Sequence, residues 1–190
     1  MPPLSEACAV LTAAGSGSRL GCEVPKALVE LSGRPLVWWA ARGLRAGGVG
    51  TIVVTAPAAS LDEFRAGIAD IGGVEVVAGS DRSRQASVAL GLAALGQRNP
   101  GDVVLVHDAA RPLTPAQTPQ GFRWDVLTRA HEAGASLGAD EAVAATDDAG
   151  LVEAIGAVVH TVAGDERSLK VTRPLDLSLA QLLAGQERLD

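Results

Sequence analysis

Cysteine is almost missing from this sequence: Cys8 and Cys22 are the only two in 190 residues, and they stand in no metal-type spacing. That excludes a disulfide framework and a zinc module, and it fits a reducing, cytoplasmic setting. A basic surplus is missing too. The 16 Lys and Arg against 22 Asp and Glu give a formal charge of −6, which argues against nucleic acid as a partner. No apolar run approaches membrane-spanning length. Met1-Pro2-Pro3-Leu4-Ser5-Glu6 has neither the basic start nor the apolar stretch of a secretion signal. Internal repeats and low-complexity linkers are absent as well. What the chain has in quantity is apolar residues, 47% of the total, enough at this length for a single domain over 1–190 with a proper core.

That apolar content is organised as alternating strand-like and helix-like segments. Residues 8–14 form a continuous apolar run of buried-strand type, and shorter runs follow at 51–55, 74–77, 102–106 and 158–162. Helical patterns cover 36–46, 61–71, 84–95, 124–133, 148–155 and 175–189, the first two closing on paired glycines. Strands joined by helices of this length imply right-handed crossovers and a largely parallel sheet with helices on both faces, a three-layer α/β fold of Rossmann-like type. Ligands of such sheets sit at the carboxyl ends of the strands. Gly15, Gly79 and Asp108 each follow a strand, so all three are expected at that one edge.

The first strand runs straight into Gly15-Ser16-Gly17-Ser18-Arg19-Leu20-Gly21, with Pro25-Lys26 closing the segment. Glycines let backbone N–H groups approach phosphate oxygens, and Arg19 and Lys26 add two cations beside them. The spacing is not that of a dinucleotide fingerprint, since Leu20 stands where the third glycine belongs, and the Gly-Lys-Ser/Thr of a Walker loop is absent. The plainer alternative is a tight turn carrying two solvated cations. A second loop, Gly79-Ser80-Asp81-Arg82-Ser83, opens the helix at 84–95. Its backbone and Ser87 can read a base or ribose, and Arg82 or Arg84 can face phosphate; taken alone, it reads equally as a capped helix start. His107-Asp108-Ala109-Ala110-Arg111-Pro112 is the sharpest signal. A carboxylate at a strand end near a phosphate loop suits Mg²⁺ held together with a triphosphate. Arg111 can fork onto a carboxylate or phosphate. His107 suits packing or orientation, because an ionised phosphate nucleophile needs no base.

Ala-Ala-Gly-x-Gly-x-Arg-Leu-Gly, Pro-Lys, Arg-x-x-Ser-Val-x-x-Gly-Leu and His-Asp-Ala-Ala-Arg-Pro, in this order, resemble the methylerythritol phosphate cytidylyltransferase family of the non-mevalonate isoprenoid pathway. Gln117-Thr118-Pro119-Gln120-Gly121-Phe122, Thr146-Asp147-Asp148 and Leu169-Lys170-Val171-Thr172-Arg173-Pro174 extend the resemblance over nearly the whole chain. It implies transfer of CMP from CTP to a polyol phosphate with loss of pyrophosphate. It further implies Arg19 and Lys26 at the α-phosphate. Ala13, Ala14, Gly15, Ser16, Gly17, Gly79, Asp81, Ser87 and Ala109 would lie around the nucleotide. Asp108 would hold Mg²⁺ and, with Arg111 and Lys170, contact the second substrate. The family's assembly is a homodimer.

One departure stands out. In the family, a helix, a further strand and a protruding β-arm separate His-Asp-Ala-Ala-Arg-Pro from Gln-Thr-Pro-Gln, and the arm supplies a substrate-binding arginine and threonine. Here Arg111-Pro112-Leu113-Thr114-Pro115-Ala116 runs directly into Gln117. Losing a crossover and a strand would open the core, so a chain discontinuity is expected near 115–117. Two other functions stay open: a cytidylyltransferase for another polyol phosphate such as ribitol phosphate, and a nucleotide-binding protein without turnover.

Overall fold

The computed structural model describes residues 7–186 except 16, 18–19, 22–23, 116–118, 140–141, 143 and 146. β1 (Cys8–Thr12) leads into the glycine loop, and a small hairpin of β2 (Glu30–Leu31) and β3 (Arg34–Pro35) precedes α1 (Leu36–Ala46). β4 (Thr51–Ala56), α2 (Leu61–Gly67), β5 (Val74–Ala78), α3 (Arg84–Leu95) and β6 (Val103–Asp108) complete the alternating part. β7 (Gln120–Arg123), α4 (Trp124–Ala133), α5 (Asp148–Ala154) and α6 (Pro174–Gln186) follow. The main sheet has the order β5-β4-β1-β6-β7; every pair is parallel except β6 with β7.

The continuous apolar runs are explained by burial on both faces. From β1, Ala9 and Leu11 point into a core shared with Val37, Ala40 and Leu44 of α1 and Phe64 of α2. Cys8 and Val10 point the other way, towards Val88 and Leu92 of α3, Leu127 of α4 and Leu151 of α5. These two cores on either side of the sheet are the three layers expected. A third cluster, with Leu31, Leu36, Trp39, Leu113, Val171 and Ala184, seats α6 over the hairpin.

Gly91 marks where α3 crosses closest to β1 and β4. A Cβ there would lie 2.5 Å from Val10 Cγ1 and 3.1 Å from Thr55 Cγ2. Overpacking of that kind costs about 1–3 kcal/mol, more than the ~1 kcal/mol that alanine gains over glycine in a helix. Gly91→Ala is therefore expected to lower the denaturant midpoint, and a midpoint at or above the wild-type value would contradict this packing.

Two expectations need correction. Residues 158–162 form no strand: Val158 and Val162 are 78% and 76% exposed. Their β-branched composition favours a strand, but no described strand lies alongside to pair with it. Conversely, Gln-Gly-Phe-Arg at 120–123 lacks a strand-like composition and becomes β7 because it pairs antiparallel with β6, Phe122 opposite Val104. The expected discontinuity at 115–117 falls on 116 and 117, which lie outside the described residues.

Candidate active site

Parallel pairing decides where the candidate residues meet. Thr12 stands level with Thr55 on one side and Asp108 on the other, so β1, β4 and β6 end together. Backbone bonds carry the alignment into the loops. The Ala13 N–H donates to Thr55 O at 2.8 Å, the Gly79 N–H to Ala56 O at 2.7 Å, and the Ala109 N–H to Thr12 O at 3.0 Å. A Cβ on Gly79 would lie 2.9 Å from Ala14 Cβ, so the two loops touch there and glycine is required for the contact. Gly15, Gly79 and Asp108 thus share the carboxyl edge.

Each predicted residue then has a definite place, apart from Ser16 and Arg19, which lie outside the described residues. Ala13 is buried and Gly15 exposed. Gly17 adopts a φ of +68° and packs so closely on Lys26 that a Cβ would come within 2.5 Å of the Lys26 Cβ. Lys26 is half-buried and opens a single 3-10 turn. Asp81 and Arg82 are exposed. Ser87 is buried, and its hydroxyl accepts from the Ser80 N–H at 3.0 Å while lying 3.1 Å from the carbonyls of Ser80 and Ser83. It shapes the 79–83 loop from beneath. Ser83 caps α3, accepting from the Ala86 N–H at 3.0 Å.

Asp108 is the centre of the site. Its Oδ1 accepts from Thr12 Oγ1 at 2.9 Å and from Arg84 Nε at 3.0 Å, and its Oδ2 accepts from Lys170 Nζ at 2.9 Å. Sequence reasoning left Arg82 and Arg84 undecided; Arg84 turns inward to carboxylates while Arg82 stays exposed. Burial pushes the Asp108 carboxyl up, but Arg84 and Lys170 more than offset this and hold it well below the usual range. Lys170 arrives from far along the chain because the Val171 N–H donates to Ala110 O at 2.7 Å, and Arg111 Nη1 donates to Ser168 O in the same strap. His107 is buried, and its Nε2 donates to Arg111 O at 3.0 Å, holding the 107–111 turn.

Beside Asp108 opens a polar cleft of about 430 Å³, lined by Arg84, Asp108, Arg111 and Lys170 among others. Thr114 and Ser168 also line it, and the hydroxyls of both are buried without a hydrogen-bond partner among the described residues. With Arg84 held by Asp108 and Asp148, the cations of Arg111 and Lys170 and the two orphan hydroxyls make a cleft, shared with the Asp108 and Asp147 carboxylates, that suits an anionic, hydroxyl-bearing ligand. Sequence reasoning missed Asp148 and His131 as part of this region. Asp148 Oδ2 accepts from Arg84 Nη1 at 2.7 Å, and Asp148 Oδ1 from His131 Nε2 at 2.9 Å. The only sequence signal was the Asp147-Asp148 pair at a helix start.

The titration directions give a test. Burial pushes His107 below its ordinary value of 6.5, outweighing the bond to Arg111. The unfolded chain therefore binds a proton that the folded chain refuses, and stability is lost as pH falls through 6.5. Burial also raises Asp148, but the bond from His131 and the Arg84 charge hold it, like Asp108, below 3.8. Their contribution is complete above 3.8 and is lost as pH falls further. Thermal unfolding against pH should show two acid phases, and His107→Gln should remove only the upper one.

Among the described residues no helix is long and apolar enough to cross a membrane, and no group of three or more His, Cys, Asp or Glu is placed to hold a metal. The family model for IspD, 2-C-methyl-D-erythritol 4-phosphate cytidylyltransferase, matches residues 7–117 and 113–186. A protein of that name from Streptomyces avermitilis is 36% identical, the alignment covering 100% of this chain and 96% of the relative. That alignment is 250 positions long although this chain has 190 residues. The namesake from Frankia casuarinae is 38% identical over 94% of this chain and 81% of its own length. The crystal structure of the enzyme from Thermus thermophilus superposes with a TM-score of 0.71 at 27% identity, covering 93% of this chain and 98% of that one.

Proposed function

This chain belongs to the 2-C-methyl-D-erythritol 4-phosphate cytidylyltransferase family, and on that premise we propose how its own residues transfer CMP from CTP to 2-C-methyl-D-erythritol 4-phosphate in isoprenoid precursor synthesis. The observation that carries the reading is the meeting of the glycine loop, the 79–83 loop and Asp108 at one sheet edge, beside a polar cleft that holds Arg111 and Lys170. The loops at Ala13–Gly17 and Gly79–Asp81, with the Ala109 backbone and with Ser87 holding the second loop in shape, take the nucleotide. Arg19 and Lys26 stabilise charge as it builds on the α-phosphate. Arg111 and Lys170, with the hydroxyls of Thr114 and Ser168, take the polyol phosphate. A phosphate oxygen of that substrate attacks the α-phosphorus in line; the new P–O bond forms as the bond to the β-phosphate oxygen breaks, and pyrophosphate leaves. Catalysis of this kind is positioning and electrostatics.

Magnesium belongs to the same proposal. Asp108 supplies the single carboxylate that Mg²⁺ needs when phosphates and waters fill its other positions. Its Oδ2 accepts from Lys170, whose side chain is 40% exposed and can give way, so the donor set fits an ion arriving with the triphosphate. The ion would neutralise charge on the phosphates when bound.

The family model matches in two stretches that overlap at 113–117, and the Streptomyces alignment is longer than this chain. Both support the absence of an internal segment here, the one in which the resemblance places the arm. Dimerisation and a cytoplasmic setting are part of the same reading, and sedimentation gives the oligomeric state. The deciding experiment is pyrophosphate release with CTP, Mg²⁺ and 2-C-methyl-D-erythritol 4-phosphate, against ribitol phosphate and against ATP or UTP. Release with the first combination alone is expected. Equal rates with ribitol phosphate or other nucleotides would overturn the specificity, and CTP binding without turnover on any polyol phosphate would make this a nucleotide-binding protein.

A further inference from the structure

Behind Asp108 stands a row of charges that the reaction above does not use. Arg84, in the first turn of α3, bridges two carboxylates, with Nε 3.0 Å from Asp108 Oδ1 and Nη1 2.7 Å from Asp148 Oδ2. The Asp148 side chain is 1% exposed at the start of α5, and His131 of α4, itself 5% exposed, donates to its other oxygen at 2.9 Å. Gln120 of β7 completes the seat: its Oε1 accepts from the Asp148 N–H at 3.2 Å, and its Nε2 donates to Asp147 Oδ2 at 3.3 Å. His131 Nδ1 has no hydrogen-bond partner among the described residues.

Stability alone does not account for this construction. A buried ion pair contributes little beyond an apolar group of the same volume, because its desolvation offsets its attraction. What the row does determine is direction. The guanidinium is a rigid planar fork, and with two of its nitrogens fixed on separate carboxylates it cannot rotate. Asp108 Oδ1 is thereby taken by Arg84 and Thr12, which leaves Oδ2 directed at Lys170 and the cleft. We propose that Arg84 is a positioning residue for Asp108, aimed in turn by Asp148 and His131, and that this buried brace sets the carboxylate oxygen presented to the triphosphate and its cation. The proposal rests on the cytidylyl-transfer reading.

Arg84→Lys keeps the charge but loses the fork. It is expected to lower kcat about 10- to 100-fold, the usual cost of losing a group that orients a ligand, with KM for the polyol phosphate unchanged. Calorimetry should show Mg²⁺·CTP binding weakened about tenfold and CTP binding in EDTA unchanged. Asp148→Asn should give the same pattern, and the double variant should be no worse than Arg84→Lys alone, since both break one unit. A merely structural role would lower the melting temperature and leave kcat per folded molecule intact. Should either variant fail to fold, His131→Leu carries the same expectation at smaller size, with His131→Gln restoring function through its amide donor. Arg84→Lys with wild-type kcat and wild-type Mg²⁺·CTP affinity overturns the brace. A wild type that binds Mg²⁺·CTP but releases no pyrophosphate overturns the transfer reading instead, and the affinity comparison still decides the brace.

Discussion

Lys26→Ala is expected to lower kcat by about a hundredfold or more, the cost of removing one preorganised donor from a developing anion, while KM for CTP changes only a few-fold. The split follows from when the charge appears. On the proposed binding mode, the charge that the α-phosphate carries in the ground state would already be met by loop N–H groups and solvent. In the transition state further charge builds as the new bond forms, and a group that meets it only then acts on kcat. The glycine loop fixes where Lys26 stands, because Gly17 at φ +68° leaves no space for a side chain between the loop and the lysine. Lys26→Arg should rescue only in part, since a planar fork replaces a compact ammonium. Arg19→Ala carries the same expectation from the sequence. Steady-state kinetics on folded Lys26→Ala decide the matter: near-wild-type kcat would remove the lysine from the catalytic machinery.

Asp108→Asn is expected to have the other large effect, a fall in kcat/KM of about a hundredfold or more together with a lost response to Mg²⁺. The substitution keeps shape and removes charge. Arg84 and Lys170 then face an amide whose NH₂ group is itself a donor, so one of two cations loses its acceptor altogether. Melting temperature at neutral pH should fall too, because breaking a partly buried pair leaves the remaining charge uncompensated. The lower acid phase should shrink, Asp108 being one of the two buried carboxyls held below 3.8. Kinetics across a Mg²⁺ titration read the first effect, and unfolding against pH the second. An asparagine variant that kept both kcat/KM and its Mg²⁺ response would remove Asp108 from the site.

How much of this was legible beforehand differs by element. The bounds of α1, α3 and α4 could be read from periodicity and glycine stops, because local patterns and tertiary packing there demand the same thing. β1, β4 and β6 were legible for the opposite reason: burial on both faces leaves no alternation, so branched apolar runs stand out. β7 was not, since Gln-Gly-Phe-Arg is a strand only by virtue of its neighbour. The segment at 158–162 was misread because composition cannot say whether a partner strand lies alongside. In the site, Asp108 announced itself by following a strand, whereas the Arg84–Asp148–His131 row joins three helix ends remote in sequence and leaves no local pattern.

The central place of β1 also has a consequence for how the molecule is made. Thr12 meets Asp108 across 96 residues, and Lys170 reaches Asp108 across another 62. Contacts that distant are slow to form, because the intervening chain must close before the pairing is rewarded. On a ribosome, β1 waits with one flank unpaired until β6 has emerged, and Asp108 waits longer still for its lysine. Competence for catalysis should therefore appear last in refolding, after the secondary structure is complete. Activity regain lagging behind the return of helical circular dichroism would be the kinetic signature of a sheet assembled from its middle outward.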